Sequence, residues 1–187
     1  MAHFRTARPP VQLVKALGLP AGTRPLASTR VDFSEETEDN GWLVVTGRGL
    51  GIVNSDGVVK LGHTDWLELE RISLKLLPDV PRRGAAAWLT IFPISQLPAV
   101  RVLLPNAAKR IASLINERMA ASVVTTERCD VPGGTVRGAL RRSHDDQLEV
   151  QVIVPPDIDG QAPPVQAAVL RLGERLSEAA GGLSRNW

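Results

Sequence analysis

The stretch Trp42-Leu43-Val44-Val45-Thr46-Gly47-Arg48-Gly49-Leu50-Gly51-Ile52-Val53-Asn54 decides the fold class. Two apolar runs of strand length flank a short turn rich in glycine, and β-branched residues dominate both runs. Ser55-Asp56-Gly57 turns the chain again, because Asp-Gly suits positions that need positive φ. Val58 to Leu61 then continues as a strand, so three consecutive segments read as an antiparallel meander.

The same pattern extends in both directions. Upstream, Leu26 to Val31 forms a first strand, and Ser34 to Asn40 an acidic loop. Downstream, after Trp66 and Leu69, Ile72, Leu74 and Leu76 alternate with Arg71, Ser73 and Lys75, as in a half-buried strand. Pro78 to Gly84 reads as a loop, and Ala87 to Phe92 and Ala99 to Leu104 as further strands. A helix follows with Asn106 as N-cap, its apolar stripe formed by Ala108, Ile111, Ile115, Met119 and Ser122 beside Leu114. The remainder reads ββα or βββα. Val123 to Arg128, Thr135 to Arg141 and Leu148 to Val154 are extended, and Ser143-His144-Asp145-Asp146 turns between the last two. Pro155 to Pro164 links them to a helix carrying Val165, Val169, Leu172, Leu176 and Ala179, which Gly181-Gly182 stops.

With 187 residues, 43% of them apolar and 22% charged, the chain can bury a sizeable core. A net charge of +2, no tyrosine and three phenylalanines argue against nucleic acid as a partner. One cysteine, Cys129, allows no internal disulfide. No apolar run reaches the ~20 residues of a bilayer span, and Val11 to Leu19 is a poor signal peptide, so the expected location is cytoplasmic, with peripheral membrane attachment as the variant. Residues 1–31 carry five bases and no acid, whereas residues 32–39 carry five acids and no base. Val11, Val14 and Leu17, with Leu13, place a short helix between Pro10 and Gly18.

The run Trp42 to Val53, with Thr64-Asp65-Trp66 followed by Leu69, is similar to bacterial pleckstrin-homology-like (PH-like) domains over roughly residues 24–121. Arginine outnumbers lysine 18 to 4, a bias that resembles actinobacterial, high-GC coding. The resemblance implies an α+β fold: a curled antiparallel β-sheet or barrel closed by a C-terminal helix. A basic arm with a short helix (residues 1–23) would precede it, and the ββα or βββα extension (residues 122–187) would pack on it. The family shares no catalytic residues, and its relatives bind lipid head groups, peptides or protein surfaces. The expected function is therefore a non-catalytic adaptor that binds another protein, with homo-oligomerisation through a sheet edge or the extension. The alternative is a peripheral binder of anionic lipid or phosphate groups.

That alternative rests on the basic N-terminal arm and on arginines, above all Arg82 and Arg83, whose planar donor fork suits phosphate. Arg82 and Arg83 occupy the loop before Gly84, and Arg137, Arg141 and Arg142 gather near one hairpin; these five are the candidate anion-binding residues. Other clusters read as structure. His144, Asp145 and Asp146 suit a hairpin turn better than a cation, and His63 and Asp65 project to offset sides of a strand entrance. Gly47-Arg48-Gly49-Leu50-Gly51 lacks the Lys-Ser/Thr ending of a phosphate loop. No metal, cofactor or catalytic group is expected.

Overall fold

The computed structural model describes residues 8–34, 40–80, 84–94, 98–105 and 109–181. The chain divides into two compact units, Met1–Met119 and Ala120–Trp187. In the first unit, α1 (Val11–Ala16) precedes seven strands: β1 (Pro25–Asp32), β2 (Asn40–Thr46), β3 (Gly49–Asn54), β4 (Val59–Asp65), β5 (Leu69–Val80), β6 (Gly84–Pro93) and β7 (Val100–Pro105). They form one antiparallel sheet in the order β4-β3-β2-β1-β7-β6-β5, and α2 (Lys109–Ser122) follows.

The core forms because all seven strands aim alternate apolar side chains at one place. Val31, Leu43, Val45, Leu50, Ile52, Leu61, Leu69, Leu89, Ile91, Val102 and Leu104 cluster with Trp66, and Ile111, Ala112 and Ile115 of α2 complete the cluster. The helix stripe thus meets the strands as its spacing requires. On the other face of the sheet, Leu13 and Leu17, from α1 and its C-cap, pack against Trp42, Val44 and Val53. Gly51 is the contact point there, since a Cβ at that position would lie 2.9 Å from Leu17 Cδ2.

Two expectations are corrected. The sheet is not a closed barrel: among the described residues, β4 and β5 are its outer strands and do not pair with each other. The reason is local. Asp65 ends β4 by capping a 3-10 turn, Trp66–Glu68, in which Asp65 accepts from Leu67 N and Glu68 accepts from Asp65 N, so the chain leaves the ladder there. The loop expected from Pro78 to Gly84 is shorter, because β5 continues to Val80 and β6 starts at Gly84, with Val80 paired to Gly84. Proline is compatible with β5 because an outer strand needs no ladder donor on its free side.

Several arginines are absorbed by aromatic rings. Arg71 lies 3.6 Å from the centre of Phe92, Arg101 4.0 Å from that of Trp88 and Arg30 5.6 Å from that of Trp42. Such stacks hold a guanidinium without an acid.

The second unit is βββα. β8 (Val123–Val131), β9 (Gly134–Arg142) and β10 (Leu148–Ile153) form a meander, and α3 (Pro163–Ala179) covers one face of it. Val136, Ile158, Val165 and Leu172 form the buried centre. Gly138 lets α3 approach, since a Cβ there would come within 2.6 Å of Leu176 Cδ1. Prolines at the first turn of α3 suit a helix start, where their missing N–H has no intrahelical role.

Candidate functional site

A groove of about 500 Å³ runs between α1 and β1. Arg8, Pro9, Val11 and Val14 line one wall, and the consecutive residues Arg24, Pro25, Leu26, Ala27 and Ser28 line the other. Side chains alternate between the faces of a strand, so five successive lining residues place the groove along the edge of β1, not on one face. Among the described residues, β1 pairs with β2 from Pro25↔Thr46 to Asp32↔Asn40 and with β7 at Asp32↔Leu103. Two large apolar side chains stand open here, Val11 at 70% and Leu26 at 53% exposure. Arg8 and Arg24 are exposed and form no ion pair with the described residues.

A second depression, of about 260 Å³, adjoins the first at Arg24 and is otherwise lined by Ala21, Gly22, Thr23, Gly47 and Arg48. The hydroxyl oxygen of Thr23 is buried and has no hydrogen-bond partner among the described residues. The two depressions together therefore offer an apolar trough, three cations and one orphaned hydroxyl.

The turn that carries Gly47 and Arg48 is built by Thr46. Its buried Oγ1 accepts from Arg48 N at 3.1 Å and Gly49 N at 3.0 Å, which occupies both lone pairs. Its one proton is donated to Gly49 O at 3.1 Å, and Nε2 of His63 lies within hydrogen-bond distance of the same oxygen at 2.9 Å. Trp66 Nε1 donates to Gly47 O at 3.1 Å, and His63 N to Leu17 O at 3.1 Å, tying turn, core and α1 end together. Burial pushes the His63 pKa below its usual 6.5; Asp65 and Glu68 oppose the shift and Arg48 adds to it. A depressed folded pKa means that the unfolded chain binds the proton more readily. Stability from neutral His63 is fully present above 6.5 and is lost as pH falls from there through the folded value. Urea midpoints measured from about pH 7 to about pH 5 are expected to fall less steeply in His63→Gln than in the parent chain. Equal slopes would show that His63 is not held neutral.

Arg137, Arg141 and Arg142 do not converge. Arg82 and Arg83 lie outside the described residues. Arg137 is exposed and sits directly across from Arg128 on β8. Arg141 is only 3% exposed; its guanidinium donates to Ser122 Oγ at 3.0 Å and Gln151 Oε1 at 3.4 Å, so it serves the interior of its own unit. Arg142 is exposed and lies 3.6 Å from Asp146. Along β9, Arg137 and Arg141 are separated by about 13 Å, too far for one phosphate.

Ser143 to Gln147 is a hairpin turn, with Asp146 at φ 62° and Ser143 N donating to Gln147 O at 2.8 Å. Thr64 donates to Gly62 O, as expected of a local backbone contact. Among the described residues, no three of His, Cys, Asp and Glu are grouped so as to hold a metal ion. No described helix is long and apolar enough to cross a membrane. Comparison with known proteins finds no matching family model, no matching curated protein and no matching solved structure.

Proposed function

We propose that this chain is a non-catalytic interaction protein that binds another protein through its N-terminal unit, and that this unit has a PH-like fold. The fold reading is supported by the sheet order β4-β3-β2-β1-β7-β6-β5 and by the helix that follows the last strand and fills the core with Ile111 and Ile115. The observation that carries the binding reading is the α1–β1 groove, where Val11 and Leu26 stand exposed side by side with other apolar lining residues. Apolar side chains grouped in an exposed groove favour a protein partner. Of the arginines behind the lipid alternative, Arg137, Arg141 and Arg142 are held apart within their own unit, and Arg82 and Arg83 lie outside the described residues.

Leu26→Asp is the direct test. Leu26 is half exposed, so the substitution should change stability by no more than about 0.5 kcal/mol. A photoreactive residue at position 11, which is 70% exposed in the groove, should cross-link the chain to a protein partner in native extract, and Leu26→Asp should reduce that cross-link by about tenfold. Salt-sensitive sedimentation with anionic vesicles, without a cross-linked protein, would instead favour the lipid reading and overturn this one.

A further inference from the structure

We propose that the depression lined by Thr23, Arg24, Gly47 and Arg48 binds a phosphomonoester group, carried by a small soluble compound or by a lipid headgroup. This site goes beyond the protein-binding groove and does not rest on it.

Two tied-down turns present the site. In the first, Thr23 N donates to Pro20 O at 3.0 Å and Gly22 sits at φ 77°, a conformation that glycine adopts without a Cβ penalty. In the second, Thr46 Oγ1 accepts from Arg48 N and Gly49 N. Trp66 fastens the same turn twice, its backbone N–H donating to Arg48 O and its indole to Gly47 O. β1 and β2 hold the two turns together, since Pro25, next to Arg24, pairs with Thr46. The backbone under both arginines is therefore positioned before a ligand arrives, and only side-chain rotamers remain to be set.

Thr23 gives a second sign of a missing ligand. Its Oγ1 is buried without a hydrogen-bond partner among the described residues, although buried hydroxyls are nearly always bonded. Because Thr23 lines the depression, one staggered step in χ1 turns that hydroxyl toward a ligand oxygen held by the arginines.

Donor count and charge select the ligand. Among the described residues, Arg24 and Arg48 form no ion pair and no acid lines the depression. Asp65 and Glu68, on the strand end beside the Arg48 turn, accept from Leu67 N and Asp65 N. The acids whose side chains lie outside the described residues are Glu35, Glu36, Glu38, Asp39 and Asp79. The first four belong to the link from Ser34 to Asn40, which joins the ladder at its Asp32–Asn40 end, about 23 Å along β1 from Pro25. Five residues cannot return over that length. Asp79 belongs to β5, three strands from β1. Two guanidinium forks and one hydroxyl bring about five donors, whereas a carboxylate accepts about four hydrogen bonds and carries one charge. A phosphomonoester has three terminal oxygens and a charge of about −1.5 to −2 at neutral pH, which matches both the donors and the two cations.

The test follows backbone amides of the isotope-labelled full chain by NMR during titration with glycerol phosphate, with sodium chloride at matched ionic strength as reference. Saturable shifts are expected at Gly22, Thr23, Arg24, Gly47 and Arg48, and acetate should bind at least about tenfold more weakly. Arg24→Gln and Arg48→Gln should each weaken binding by about tenfold. Thr23→Val keeps the shape and removes the hydroxyl. Affinity should fall by about threefold while the unfolding midpoint without ligand stays level or rises, since the lost group had no partner. A lower midpoint at unchanged affinity would overturn the part given to Thr23. Shifts reproduced by chloride, or equal affinities in the parent and both arginine variants, would overturn the site. Sedimentation with vesicles containing phosphatidic acid separates the sources. Uptake that glycerol phosphate competes away identifies a lipid headgroup, and glycerol phosphate binding without uptake identifies a soluble compound. Absence of both would end the proposal and leave the position-11 cross-link to decide the interaction reading by itself.

Discussion

Gly49→Ala is expected to destabilise the N-terminal unit by about 3 kcal/mol or more, the upper range for forced overpacking. A Cβ at Gly49 would lie 1.9 Å from Thr64 O, 2.7 Å from Thr64 C and 2.9 Å from Asp65 Cα. All three are backbone atoms, so no side chain can swing aside; β3 and β4 must separate where Gly49 pairs with Asp65. The damage would spread through one connected set of bonds. Gly49 N donates to Thr46 Oγ1, Thr46 holds His63, and the neighbouring Gly47 carbonyl accepts the Trp66 indole. Gly47→Ala is the control: a Cβ there meets nothing within 4 Å, and the residue has no positive φ. It should change stability by no more than about 1 kcal/mol and in the stabilising direction. Thermal unfolding of the two variants, followed by tryptophan fluorescence in a Trp187→Phe background, checks the contrast. Equal effects at the two positions would mean that β3 and β4 are not this closely joined.

The contrast also shows what the sequence made visible and what it hid. Alternation of apolar and polar residues exposed most strands, and the spacing of Ile111, Ile115 and Met119 exposed the helix that enters the core, because each is a one-dimensional signal. Gly47 and Gly49 look alike in sequence, yet one is free and the other is fixed by a strand that begins ten residues later. The closed barrel was misread for a related reason: whether β4 meets β5 depends on the short turn capped by Asp65, not on the pattern of either strand.

The candidate site was hidden more fully. Val11, Val14 and Leu26 read as ordinary core or surface residues, and nothing local in the sequence announces that they line one groove. Arg24 and Arg48 are unremarked singles in sequence and come together only through the β1–β2–β3 fold. Conversely, the hairpin that gathers Arg137, Arg141 and Arg142 in sequence distributes them in space, burying one and pairing another with Asp146. Proximity in sequence places side chains on alternating faces of a strand, so it is a poor guide to convergence. The contact between Thr46 and His63 spans 17 positions and has no local signature at all.

The largest effect from a single side-chain truncation is expected at Ile115. It is fully buried at the meeting point of α2 with strands from both halves of the sheet, among Leu43, Ile52, Leu89 and Val102 in the same cluster. Ile115→Ala removes three carbons from a site where the neighbours come from separate elements and cannot all close inward, so the cost should be about 2–5 kcal/mol. Because α2 is the element that covers the apolar ends of these strands, the loss should lower the unfolding midpoint for the whole first unit, not fray one helix. Leu76→Ala makes a similar chemical change on outer strand β5, where the side chain is 70% exposed, and should cost no more than about 0.5 kcal/mol. A Trp187→Phe background leaves Trp42, Trp66 and Trp88, all in the first unit and all buried, as the fluorescent reporters. Urea titration in that background should separate the two variants by several kcal/mol at unchanged m-value. If Ile115→Ala and Leu76→Ala instead shift the midpoint equally, α2 does not hold the sheet together, and the helix-sealed core on which the PH-like reading depends is wrong.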